Sequence, residues 1–144
     1  MELNININDV SETAFLTLYC HAIDAQSKDP ILNDRSSIKI MQMLNHDLSN
    51  SDKNLHKLLA KGKINKNLVV HTAIRAKKYD EYVSDFIKKY PKATIINIGC
   101  GLDNRFERVD NGQIDFFDLD LPDIIEIKKQ LFNETTRYQF IPQS

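Results

Sequence analysis

Two glycines and two carboxylates, about twenty residues apart, are the residues of this chain best suited to hold a ligand. Gly99-Cys100-Gly101 follows the largely β-branched run Ile95-Ile96-Asn97-Ile98, and a second apolar run leads into Asp118-Leu119-Asp120, whose last acid stands nineteen residues after Gly101. Glycine lets the backbone turn tightly and lets a ligand approach without a Cβ in the way, and a following helical turn points N–H groups outward. A carboxylate at the end of the second strand can accept both hydrogen bonds of a ribose diol. The pattern is strand, glycine turn, crossover and acid, which is half of a nucleotide site. A dinucleotide fingerprint requires a third small residue where Asn104 stands. S-adenosylmethionine carries no pyrophosphate and needs only the two-glycine turn, so it fits the spacing better. A dinucleotide-binding oxidoreductase is the weaker alternative. Asp118 is the other acid that could read the ribose, and Asp103 is placed to orient the glycine turn.

Those residues need a framework, and the sequence supplies one. The run over 95–98 has the composition of a strand buried on both faces. An Asn111-Gly112 turn introduces a second strand over 114–118. Pro122 then opens a helix in which Asp123 and Glu126 suit the positive end of the dipole and Lys128 and Lys129 the negative end, with Ile124, Ile127 and Leu131 inward. A loop over 133–137 precedes a third strand at 138–141. Upstream, residues 67–90 form the longest helical pattern, with Leu68, Ala73, Ile74, Tyr79, Tyr82, Val83, Phe86 and Ile87 apolar and Pro91 ending it.

The first sixty residues read as short helices. Residues 1–10 alternate weakly, as an extended arm or short strand. A helix capped by Asp9 or Ser11 repeats Phe15, Leu18, Tyr19, Ala22 and Ile23 and stops near Pro30. A second follows Ser36-Ser37 with Ile38, Ile40, Met41 and Leu44, and Met41 and Met43 read as gap-filling core residues. Residues 47–52 form a polar linker, and Leu55, Leu58 and Leu59 mark a third helix ending at Gly62. The fold class is α/β: a helical segment over 1–66, then over 67–144 a Rossmann-like sheet, of which the resemblance given below implies that this is the first half.

Composition excludes several functions. The 144 residues are 42% hydrophobic and 27% charged, ordinary for a globular domain. Nineteen basic against 20 acidic residues leave a net charge of −1, so no overall field recruits nucleic acid or an anionic membrane. No apolar run approaches the roughly 20 residues of a membrane span and no signal-peptide pattern opens the chain, so a cytoplasmic protein with small-molecule partners is expected. The two cysteines, Cys20 and Cys100, form no CxxC and no metal-spaced cluster with histidine, so no metal is expected. Buried thiols are usually inert, which leaves Cys100 as a turn residue. His21, His46, His56 and His71 are scattered, and surface or cap roles are expected of them.

Two longer motifs carry a resemblance. Asn97-Ile98-Gly99-Cys100-Gly101-Leu102-Asp103-Asn104-Arg105-Phe106 and Asp118-Leu119-Asp120-Leu121-Pro122 closely resemble the leucine carboxyl methyltransferase family and its bacterial polyketide-type O-methyltransferase relatives, in which threonine is usual at position 104. Arg75-Ala76-Lys77-Lys78-Tyr79-Asp80 resembles the family's Arg-Thr-x-x-Phe-Asp motif, in which the arginine holds the carboxylate of the cofactor's methionine part. A planar guanidinium suits that task because it can bind a carboxylate through two charge-assisted bonds. The resemblance implies a class I fold with strand order 3-2-1 and S-adenosylmethionine-dependent O-methyl transfer, to a small-molecule or protein carboxylate or to a hydroxyl. It also implies cofactor contacts at Arg75, Gly99, Cys100, Gly101, Asp103, Asp120 and Leu121, with no residue acting as acid or base. Strand parity and family position favour Asp120 over Asp118 for the ribose.

The helical segment would close over the cofactor in such a fold. Family members continue for about as long again, so the resemblance further implies a truncated chain with little turnover of its own, or a non-catalytic remnant. With its first strand unpaired on one side, the chain would self-associate.

Overall fold

The computed structural model describes residues 12–143, so the expected N-terminal arm and its capping residues lie outside the described residues. Its elements run α1 (Glu12–Ala25), α2 (Arg35–Asn50), α3 (Asn54–Ala60), α4 (Lys66–Lys89), β1 (Thr94–Ile98), α5 (Arg105–Val109), β2 (Asp115–Asp120), α6 (Pro122–Leu131) and β3 (Tyr138–Pro142). They form two compact units, one extending to Lys77 and the other from Lys78 onward.

The first unit is helical. Phe15, Leu18, Tyr19 and Ala22 of α1 are buried with Ile40, Leu44 and Leu48 of α2 and Leu59 of α3. Ile40, Leu44 and Leu48 repeat every four residues, and this stripe carries α2 through the stretch expected as a linker. The helix starts one residue before the serines expected to open it, because Asp34 caps it by accepting a hydrogen bond from Ser37 N–H at 3.4 Å. Met43 lies outside the core, 43% exposed, since it falls off that stripe. Two histidines are not surface residues. His21 is buried with Nδ1 3.4 Å from Asp34, and His56 is fully buried, edge-on to Phe15 and hydrogen-bonded through Nδ1 to the Ser51 hydroxyl at 2.8 Å.

The second unit is built on a parallel sheet in the order β1-β2-β3, with Asn97 opposite Asp118 and Asp118 opposite Phe140. Its core contains Ile87, Cys100, Val109, Ile114, Phe116, Ile125, Tyr138 and Phe140, with Val83, Ile95, Phe106 and Phe132 packed against it. Phe106 stacks on Tyr138 with ring centroids 4.4 Å apart. β2 begins one residue later and runs two further than expected, which puts Asp120 on its last position.

β1 departs from expectation. Side chains alternate along a strand, so Ile95 and Asn97 face the core while Ile96 and Ile98 point the other way, 58% and 77% exposed. Only one face of this strand is half-buried, and the other is exposed. The second half of α4 also shows apolar residues on two sides. Val83 and Ile87 join the core, whereas Tyr79, Tyr82 and Phe86, and Tyr90 just past the helix end, are exposed.

Candidate functional site

The glycine turn lies where β1 ends. Gly99 and Gly101 have φ of 67° and 54°, in the left-handed region that side chains resist, so both positions need glycine for the backbone alone. A Cβ built on either would meet nothing within 4 Å. The space beside both α-carbons is open, which is what a ligand approaching the backbone needs.

Four N–H groups of the turn are taken up by protein acceptors. Gly99 and Cys100 donate to the Leu119 carbonyl at 2.8 and 3.3 Å, Asp103 donates to the Cys100 carbonyl at 3.2 Å, and Gly101 donates to Asp120 Oδ2 at 2.7 Å. A pyrophosphate cradle requires such groups to be free. The helix that follows, α5, has only five residues and adds little dipole. Asn104 precedes it, with its side-chain amide on Glu107 at 2.5 Å.

Strand parity does not separate the two acids, since positions two apart share a face; depth does. Asp120 is partly exposed at the end of β2, with Oδ1 accepting from Leu121 N–H at 2.8 Å. Each of its oxygens therefore accepts one backbone bond and keeps a lone pair for a ligand hydroxyl. Asp118 is completely buried, and its carboxylate accepts from Asn97 Nδ2 at 2.7 Å, Tyr138 Oη at 2.5 Å and Lys128 Nζ at 2.7 Å. Burial, and next the Asp118 charge, raise the Tyr138 phenol well above its ordinary range.

Lys128 lies in the last turn of α6, as its charge predicts, but its burial was not legible from residue type. Expected as a dipole partner, it is also fully buried, with Nζ 2.6 Å from the Asp103 carbonyl and 3.4 Å from that of Gly101. The signal was present, since Lys128 stands four residues after Ile124 and three after Ile125, both buried on α6.

A second ionic group braces the turn. Arg108 meets Asp103 at 2.7 Å and Asp80 at 2.6 Å, and Arg105 meets the same two acids at 3.3 and 2.8 Å. Arg105 Nη1 also donates to Asn97 Oδ1 at 2.7 Å. Burial alone would lower the Arg108 pKa, but the Asp103 and Asp80 carboxylates raise it above the ordinary arginine value, which fixes the charge. Cys100 is buried within this framework, and burial pushes its thiol up to about 12, so it stays protonated and unreactive at neutral pH.

Leu121 is 52% exposed beside Asp120, an apolar surface next to the strand end. Arg75, on the part of α4 belonging to the helical unit, is exposed and makes no ion pair among the described residues. A shallow cleft lined by Lys89, Tyr90, Pro91, Lys92, Ala93 and Gln113 lies at the opposite end of β1 and β2 from the glycine turn.

Comparison with known proteins places this geometry in a family. The Tetracenomycin polyketide synthesis O-methyltransferase TcmP of Streptomyces glaucescens is 29% identical over 141 residues, covering 97% of this chain and 48% of that protein. The S-adenosyl-L-methionine-dependent methyltransferase dpfgK of Gibberella zeae is 28% identical over 142 residues, covering 90% of this chain and 43% of its own length. The chain thus spans less than half the length of these two relatives. The model of the Leucine carboxyl methyltransferase family matches residues 14–138, and the chain belongs to that family.

Proposed function

We propose that this chain carries the S-adenosylmethionine site of an O-methyltransferase, with a carboxylate or hydroxyl of a small molecule or protein as acceptor. The open space over Gly99 and Gly101 next to Asp120 is the observation that carries this reading. The residues fit the cofactor. Asp120 keeps acceptor capacity for a ribose diol, exposed Leu121 offers an apolar surface to a base, and the exposed fork of Arg75 suits an amino-acid carboxylate. The protein-bonded N–H groups of the turn favour a ligand without pyrophosphate, against the dinucleotide alternative.

When bound, the cofactor supplies a methyl group on a sulfonium. The protein need do little acid–base work, because most of the acceleration comes from orienting the acceptor oxygen in line with that methyl. The groups named here accordingly bind and orient. Gly99 and Gly101 admit the ligand, Cys100 fills the core beneath them, and Asp103 anchors the turn through Arg105 and Arg108.

A cytoplasmic setting belongs to this proposal, and no helix among the described residues is long and apolar enough to cross a membrane. A second property is favoured by the uncovered side of β1. We propose that the 144-residue chain self-associates, because β1 pairs only with β2 among the described residues and exposes Ile96 and Ile98.

Titration with S-adenosylhomocysteine followed by amide chemical shifts tests the site. The reading expects the largest shifts at residues 99–103 and at Asp120 and Leu121. Shifts confined to the cleft near Lys89 and Gln113 would contradict it.

A further inference from the structure

A lysine ammonium is costly to bury, and a buried ion pair is often no more stabilising than apolar residues of the same volume. Lys128 is nevertheless fully buried, and its bonds go beyond neutralising Asp118 at 2.7 Å. The remaining two go to main-chain oxygens of the glycine turn, those of Asp103 at 2.6 Å and Gly101 at 3.4 Å. Gly101 is therefore held from both ends of its residue, by its N–H on Asp120 and by its carbonyl on Lys128. Asp118 in turn fixes the ammonium, being held itself by Asn97 from β1 and Tyr138 from β3. The network joins all three strands and α6 to two carbonyls of a single turn.

We propose that Lys128 is a positioning residue for the cofactor turn. It holds the Gly101 and Asp103 carbonyls so that Gly101 keeps its left-handed backbone and its bond to Asp120. As a statement about ligand affinity, this rests on the reading of the turn as the S-adenosylmethionine site. The hold on the backbone can be measured without any ligand.

The test uses Lys128→Met and, because that change leaves Asp118 charged and unpaired in the core, the double variant Asp118→Asn/Lys128→Met. Asparagine can still bond Asn97 and Tyr138. Amide hydrogen exchange is compared at Gly101 and at Phe116, whose N–H donates to the Arg137 carbonyl at 2.7 Å and reports on the sheet. The expected result is exchange at Gly101 at least tenfold faster than wild type with Phe116 unchanged, and about tenfold weaker binding of S-adenosylhomocysteine. This should hold in the double variant even where its thermal midpoint returns to the wild-type value. A structural role alone would restore Gly101 exchange together with the midpoint, and that result would overturn the proposal. Faster exchange with unchanged affinity would also overturn it. If the wild-type chain binds no S-adenosylhomocysteine while Gly101 exchange responds, the cofactor reading fails and the hold of Lys128 on the turn stands.

Discussion

Asp118 and Asp120 are separated by a single residue and differ entirely in what they can do. Asp120 sits at a strand end with acceptor capacity to spare, and Asp118 is the buried counter-ion of Lys128. Asp120→Asn should therefore weaken S-adenosylhomocysteine binding and cost only about 1 kcal/mol of stability, for the one of its two backbone bonds that an amide cannot accept. Asp118→Asn alone should cost stability, of the order of 3–5 kcal/mol for breaking a buried pair. Calorimetric affinities and thermal midpoints of the two variants check this, and equal affinity losses at both would contradict the assignment. Arg75 faces a similar test. A bidentate carboxylate bond is worth about 1.5–3 kcal/mol, so Arg75→Lys should weaken binding roughly tenfold, with Lys77→Ala as a near-silent control. His56 gives a pH signature. Burial, with Lys53 adding to it, lowers its pKa below the ordinary 6.5. The unfolded chain then takes up its proton first as the medium is acidified. Stability from this residue is full above about pH 6.5 and falls as pH drops below it. His56→Gln should flatten the decline in unfolding free energy between about pH 6.5 and 5, read by denaturant titration.

At the scale of elements, the glycine turn, the acid-terminated second strand, the proline-started helix and the third strand were all legible, because each is signalled by local chemistry. Pro122 at the first turn of α6 and Asn111-Gly112 before β2 act through backbone preferences that need no tertiary partner. What could not be read depends on neighbours. The run Ile95-Ile96-Asn97-Ile98 has the composition of a doubly buried strand, yet whether a second layer covers Ile96 and Ile98 is decided outside that run. The burial of Lys128 is hidden for the same reason, since its type argues for solvent and only its spacing from Ile124 and Ile125 argues for the core. The α4–α5 junction yields a prediction of its own. Asp80 receives both Arg105 and Arg108, so Asp80→Ala leaves two partly buried guanidinium groups short of a partner. A loss of about 2–4 kcal/mol is expected, from the cost of breaking charge-assisted bonds. A thermal midpoint within a degree of wild type would contradict it.

For the whole molecule, two consequences follow from exposed surface and from the glycine turn. β1 pairs only with β2 among the described residues and presents Ile96 and Ile98 outward, a combination that natural sheet edges usually avoid. Sedimentation velocity should show a weight-average mass above that of the 16.6 kDa monomer at micromolar concentration, and a strictly monomeric boundary would contradict self-association. The site reading is tested most directly by calorimetry of the purified chain with S-adenosylhomocysteine and, separately, with NAD. The account predicts saturable heat at one site per chain with S-adenosylhomocysteine, weakened by Asp120→Asn, and no binding of NAD. Saturable binding of NAD, or none of S-adenosylhomocysteine by the folded chain, would contradict it.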